Sequence, residues 1–81
     1  MPTATTHRPL HVIAAEVSAD WAKPYFGAVP YLDAMRRLNG IDDMYGWEDA
    51  RTIVLYFLSN ATTWRGEVAR RVKAELKAMA R

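Results

Sequence analysis

Few side chains in this sequence are of a type and spacing that support catalysis or metal binding. The chain has no cysteine, which excludes thiolate chemistry and thiolate metal sites. His7 and His11 have the spacing of two metal ligands on one helix face, but Pro9 lies between them and the sequence offers no third ligand. Ser18 and Ser59 lack the flanking glycines of the sharp turn that exposes a nucleophilic serine. We therefore predict no catalytic residue, no metal site and no cofactor.

Acidic residues gather in one short segment, but their spacing is not that of a calcium-binding loop. The segment holds Asp42, Asp43, Glu48 and Asp49. The last two lie at the start of the helix predicted over 47–60, where carboxylates stabilise the positive end of a helix. The glycines are scattered and form no phosphate-binding loop. We expect these acids to serve structure, and we predict that the protein is not an enzyme and has no small-molecule ligand.

A row of basic side chains near the end of the chain is the strongest candidate for a charged binding surface. At 100° per residue, the row faces away from the apolar positions of the same segment. It consists of Arg70, Lys73, Lys77 and Arg81. Such a row can follow the phosphates of a nucleic acid. The alternative is a solvated helix face on which Glu67 and Glu75 pair with Arg71 and leave the row free.

Apolar side chains on faces that should be exposed indicate a protein-binding surface. Leu55 and Tyr56 point away from the core side of a predicted helix, and Tyr25 and Phe26 lie in a connection. Aromatic side chains are enriched in protein interfaces, and exposed apolar patches mark interaction sites. The alternative is that the connections fold back and cover these residues. We assign all four to a protein-interaction site.

The spacing of apolar residues predicts the helices that position both surfaces. Residues 52–58 are rich in β-branched and aromatic side chains, but a lone strand there would have no partner, so we favour a helix. Thr62 or Thr63 is expected to cap the last helix. All three tryptophans lie on apolar stripes and are expected in the core: Trp21, Trp47 and Trp64. We predict an all-α, compact four-helix bundle with helices over 9–22, 29–39, 47–60 and 63–80.

Length and charge place these helices in one small, polarised domain. With 81 residues, we expect a flexible tail over 1–8 and a single helical domain over 9–81. Residues 64–81 carry six basic and two acidic side chains, whereas residues 1–63 carry five basic and seven acidic ones. This polarity favours steering of a charged partner, or head-to-tail contact between copies. No apolar run is long enough to span a membrane and the first residues lack a signal-peptide pattern, so we expect a cytoplasmic protein without a membrane partner.

Four segments carry a resemblance to a known group of proteins. They are Tyr25–Met35, Asp42–Gly46, Ile53–Ala61 and Trp64–Glu67. Together they resemble small uncharacterised proteins encoded by actinobacteriophages and by related mobile elements of actinobacteria, over about two thirds of the chain. The group has no known activity, so the resemblance implies no catalytic or binding residue. It implies a small protein that acts inside a bacterial host cell.

These observations predict a non-enzymatic interaction protein. Its expected partner is a host or phage protein, or a second copy in a homodimer, bound through Tyr25, Phe26, Leu55 and Tyr56. The alternative is a nucleic-acid-binding protein that uses Arg70, Lys73, Lys77 and Arg81.

Overall fold

In the computed structural model, which describes residues 7–81, four α-helices pack around one apolar core. The helices are α1 (Leu10–Asp20), α2 (Val29–Met35), α3 (Ala50–Ser59) and α4 (Glu67–Met79). A single 3₁₀ turn, Phe26–Ala28, leads into α2, and a hairpin of strands β1 (Met44–Tyr45) and β2 (Glu48–Asp49) leads into α3. The four predicted helices are confirmed, but the hairpin makes the fold mostly helical rather than all-α. Residues 1–6 of the predicted tail lie outside the described residues.

The third helix begins later than predicted because a hairpin occupies the residues before it. Met44 pairs with Asp49 and Tyr45 with Glu48, in antiparallel register. The two-residue loop starts with Gly46 at φ 64°, a left-handed conformation that glycine adopts without steric cost. Asp49 then caps α3, since its carboxylate accepts the Thr52 N–H at 2.7 Å. The predicted role of Asp49 at the start of this helix is confirmed, and the hydrogen bond from the Thr52 backbone lowers the pKa of Asp49.

The hairpin also overturns the predicted burial of Trp47. This side chain occupies the second position of the loop and is 99% exposed, whereas Trp21 and Trp64 are buried as expected. The helical spacing that relates Trp47 to later residues does not hold, because the backbone before Ala50 is not helical.

The ends of the other helices are completed by backbone contacts that the sequence did not predict. After α2, the chain continues in turns, and the carbonyls of Asn39 and Leu38 accept the N–H groups of Leu10 and His11 at 2.7 and 3.0 Å. These bonds satisfy the first donors of α1, which has no side-chain cap. The predicted threonine caps of α4 are wrong, because α4 begins at Glu67 and Gly66, at φ 114°, occupies the capping position without a side-chain bond.

Three aromatic rings join α1, α3 and the connection before α4. Trp21 and Trp64 stack with ring centroids 5.7 Å apart and planes 13° from parallel. Phe57 of α3 meets both rings edge-on, at 6.4 and 6.5 Å. Trp64 Nε1 donates a hydrogen bond to Asp20 Oδ2 at 2.8 Å, so the polar atom of the buried indole is satisfied. Each offset or edge-on pair of this kind contributes about 0.5–1.5 kcal/mol beyond area burial.

A charged network ties α1 to α4 on another side of the core. Arg8 donates two hydrogen bonds to the carboxylate of Glu75, at 2.7 and 2.9 Å, and one to Glu16 at 2.8 Å. Arg71 also donates to Glu16, which corrects the predicted pairing of Arg71 within α4. Arg8, assigned to the flexible tail from sequence, is therefore attached to two helices. Hydrogen bonds from Arg71 first and Arg8 second hold the pKa of Glu16 below its ordinary value.

The described helices differ in length, and none of them is both long and apolar enough to cross a membrane.

Replacing Trp64 by phenylalanine should destabilise the fold, because the bond to Asp20 and part of the stacked surface are lost. We expect a decrease of about 1–3 kcal/mol in the free energy of unfolding, measured by urea denaturation. The same replacement at exposed Trp47 is the matched control and should change stability by less than about 0.5 kcal/mol. Equal losses in the two variants would contradict the burial described for Trp64.

Lowering the pH should remove the contribution of Glu16 to the free energy of unfolding. Because its pKa is lowered in the folded state, the stabilisation is present above the pKa of an unfolded glutamate, about 4.3, and is lost as pH falls through the lower folded value. Glu16→Gln should therefore flatten the decline of unfolding free energy between about pH 5 and pH 3. It should cost about 1 kcal/mol or less at pH 7, because both arginine partners are partly exposed. Glu48→Gln, on the exposed hairpin, should leave the pH profile unchanged.

Candidate interaction surfaces

Two aromatic segments distant in sequence meet at the C-terminal end of α3. The ring of Tyr25 lies 4.8 Å from that of Phe26, centroid to centroid. A Cβ built on Gly27 would lie 2.6 Å from the Tyr25 ring and 2.8 Å from Asn60 Oδ1, so the Tyr25 ring and the end of α3 are close neighbours. Asn60 in turn donates its side-chain N–H to the Tyr56 carbonyl at 2.9 Å. Glycine at position 27 permits this approach, because any side chain there would collide with both neighbours.

The helix α2 adds a tyrosine to this region. Tyr31 and Tyr56 lie with ring centroids 5.4 Å apart, in a tilted arrangement. Tyr31 is half-buried at the edge of the core. No signal in the sequence relates it to Tyr56, because the contact joins two different helices. We call the combined region the aromatic surface, composed of Tyr25, Phe26, Tyr31, Leu55 and Tyr56.

The aromatic surface is open to solvent. Phe26 is 79% exposed, and Leu55 and Tyr56 are each 48% exposed. Within residues 7–81, the hydroxyl groups of Tyr25, Tyr31 and Tyr56 make no hydrogen bond, so they are available to a partner. A surface of this composition offers apolar area together with polar groups at its edge, as protein interfaces do.

The hairpin carries a second group of exposed apolar side chains. Met44, Tyr45 and Trp47 project from residues 42–49, which we call the hairpin arm. The sequence analysis predicted Trp47 in the core and assigned none of these three residues to the protein-interaction site. The pair Gly46-Trp47 between two short extended segments is the signal that would have predicted a hairpin loop.

The predicted basic row is split by a contact of Lys73. Its ammonium group donates to the Trp64 carbonyl at 2.6 Å and lies 5.9 Å from the centroid of the Trp64 ring. Burial first, and the nearby charges of Lys77 and Arg65 second, lower the pKa of Lys73. The expectation of four free charges is therefore wrong for Lys73, which is partly buried in a structural contact.

The exposed basic side chains also include one residue, Arg65, that the predicted row did not contain. Arg65 belongs to the predicted helix over 63–80 but not to the predicted row. In the structure it precedes α4, and its charge lowers the pKa of Lys73. We call the exposed set the basic face, composed of Arg65, Arg70, Lys77 and Arg81.

No group of three or more histidine, aspartate or glutamate side chains within residues 7–81 is arranged to hold a metal ion, and this part of the chain encloses no cavity. What the described residues do present is apolar and charged surface. Comparison of the whole chain found no matching protein family, no matching curated protein and no matching solved structure.

Proposed function

We propose that this chain is a phage-encoded, non-enzymatic interaction protein that acts in the cytoplasm of an actinobacterial host. Its aromatic surface binds a host or phage protein, or a second copy of the chain. The observation that carries this proposal is the gathering of four aromatic side chains and Leu55, from the 3₁₀ turn, α2 and α3, on one exposed region. The phage origin rests on the resemblance over residues 25–79, and the non-enzymatic part rests on the residue types.

The aromatic surface has the physical properties of a binding site rather than of an unfinished core. The core beneath it is complete, with side chains such as Phe57 and Val54 fully buried and no buried polar group among the described residues. Fully burying a large apolar side chain contributes about 1.5–3 kcal/mol, so covering several half-exposed rings offsets a substantial part of the cost of association. Tyrosine and phenylalanine also lose little conformational entropy when a partner fixes them, because they have two side-chain torsions.

A charge placed in the centre of this surface should abolish partner binding. In Tyr56→Glu, a carboxylate replaces a half-exposed ring and would have to lose its water on contact. We expect capture of the partner from an actinobacterial lysate, and any self-association measured by sedimentation equilibrium, to weaken at least about tenfold. The helical circular-dichroism signal should be unchanged.

Ala15→Glu is the matched control, because it adds the same charge on an exposed position of α1. It should bind as the unmodified chain does. A partner retained equally by Tyr56→Glu and Ala15→Glu would refute the assignment of the aromatic surface.

The basic face supports a second candidate function, nucleic-acid binding. Its support is the proximity of like charges, since Arg65 and Lys77 both lower the pKa of Lys73, and Arg70 on α4 and Arg81 just after it are also exposed. A phosphate backbone would relieve this repulsion by placing negative charge among the cations. Lys73 contributes less than its position in sequence suggests, because its ammonium is held by the Trp64 carbonyl.

A triple replacement tests this alternative without disturbing Lys73. In Arg70→Ala/Lys77→Ala/Arg81→Ala, the slope of log affinity for a random DNA duplex against log salt should become shallower by up to about 3. Fluorescence anisotropy at several salt concentrations measures this slope. Arg37→Ala, at an exposed arginine in the turn after α2, is the single-charge control. Binding with an unchanged slope in the triple variant would show that these side chains contact no phosphate.

A further inference from the structure

The hairpin arm holds Trp47 in an ordered but uncovered position. The base of the arm is fixed by the Ala50 N–H, which donates to the Asp43 carbonyl at 2.8 Å. The Asp43 carboxylate accepts the N–H groups of Asn39 and Gly40 at 2.8 and 3.1 Å, which joins the arm to the chain after α2. The Trp47 side chain at the tip is 99% exposed and therefore has almost no contact with its own chain. An anchored backbone thus presents a large apolar ring to solvent.

Acidic residues flank Trp47 in the sequence of the hairpin arm. Asp42 and Glu48 are exposed, and the nearest cation to Asp42 within residues 7–81 is Arg51, at 4.0 Å. The face of an indole attracts cations, and neighbouring carboxylates strengthen that preference. A partner of the hairpin arm should therefore offer arginine or lysine side chains together with a surface on which a ring can lie.

The same chain presents such a surface on α4. Arg70 and Lys77 are exposed two helical turns apart, with exposed Ala74 and part-buried Lys73 between them. The ammonium of Lys73 is held at the Trp64 carbonyl, and Ala74 is small, so a ring can approach the helix on the Ala74 side. The charge asymmetry of the sequence follows this division, because residues 64–81 are basic in balance and residues 1–63 are acidic in balance. The two complementary surfaces lie on different elements of one molecule, and in the monomer Trp47 is left uncovered.

We propose that the hairpin arm of one copy binds the basic face of α4 on a second copy. In this contact, the Trp47 ring packs between Arg70 and Lys77, and the carboxylates of Asp42 and Glu48 lie near their charges. The contact uses none of the residues of the aromatic surface, so it stands independently of the proposed function. Because two different surfaces meet, the association is head-to-tail, and it continues into longer species unless a ring closes.

Two variants, each lacking one of the surfaces, test this association. Trp47→Ala removes the ring of the arm, and Arg70→Glu/Lys77→Glu reverses the charge of the face; all three positions are exposed. Sedimentation velocity at low salt, on the order of 50 mM, measures the species present. The unmodified chain should form oligomers that grow with concentration and weaken at high salt, and each variant alone should associate at least about tenfold more weakly.

Mixing the two variants is the decisive part of the experiment. Each variant keeps one working surface, so an equimolar mixture should form a 1:1 dimer and nothing larger. Tryptophan emission should shift to shorter wavelength as the unmodified chain associates, because Trp47 is the exposed tryptophan and the other two are already buried. Circular dichroism of each variant alone checks that the fold is retained.

Three results would overturn the proposal. One is a monomeric unmodified chain at low salt and high concentration. Another is oligomers that survive Trp47→Ala, and the third is a mixture of the two variants that stays monomeric. Oligomers lost in Tyr56→Glu but kept in Trp47→Ala would overturn it in favour of self-association through the aromatic surface, so the two proposals fail separately.

Discussion

The indole of Trp64 lies where α1, α3 and the start of α4 meet, and the positions of the other surfaces depend on it. Its ring stacks on Trp21, its edge contacts Phe57, and its N–H donates to Asp20. The backbone carbonyl of the same residue accepts a hydrogen bond from the ammonium of Lys73, in the second turn of α4. One residue in a connection thereby fixes the direction in which α4 leaves the core. The orientation of the basic face follows from this contact.

The start of α1 is satisfied by the rest of the fold rather than by a local cap. The first N–H groups of α1 donate to the carbonyls of Leu38 and Asn39, so α1 is completed only when the chain after α2 is in place. Asp43 ties the hairpin to the same stretch of backbone. Such dependence makes the small core cooperative, because α1 is fully hydrogen-bonded only when the chain after α2 is in place. Outside this packed core, the aromatic surface and the hairpin arm are the regions that expose large apolar side chains.

Local sequence patterns predicted those features that depend on neighbouring residues alone, which are mainly the helices. Apolar periodicity predicted the number and approximate places of the helices. The carboxylate of Asp49 was expected near the start of the third helix, although that helix was predicted to begin at residue 47 and begins at Ala50. The loop at Gly46 was missed because Trp47 coincides with the helical spacing of the following residues, and backbone pairing in a hairpin leaves no trace in that spacing. The hydrogen bond from Lys73 to the Trp64 carbonyl and the contact between the Tyr31 and Tyr56 rings were not predictable. Both join different parts of the fold, and local spacing does not report such contacts. Exposure of Tyr25, Phe26, Leu55 and Tyr56 was predictable, because each lies off an apolar stripe or in a connection.

The contacts that close the fold join residues far apart in the chain, and this has a consequence for its synthesis. The Trp64–Asp20 bond spans 44 residues, and the Arg8–Glu75 bond spans 67. At about 5–20 residues per second, roughly 2–9 s pass between the addition of Asp20 and that of Trp64. During that interval the apolar side of α1 lacks its cover from α4, and the nascent chain displays more apolar surface than the finished protein. The ribosome-bound chain is therefore the state in which this small protein is most exposed to aggregation.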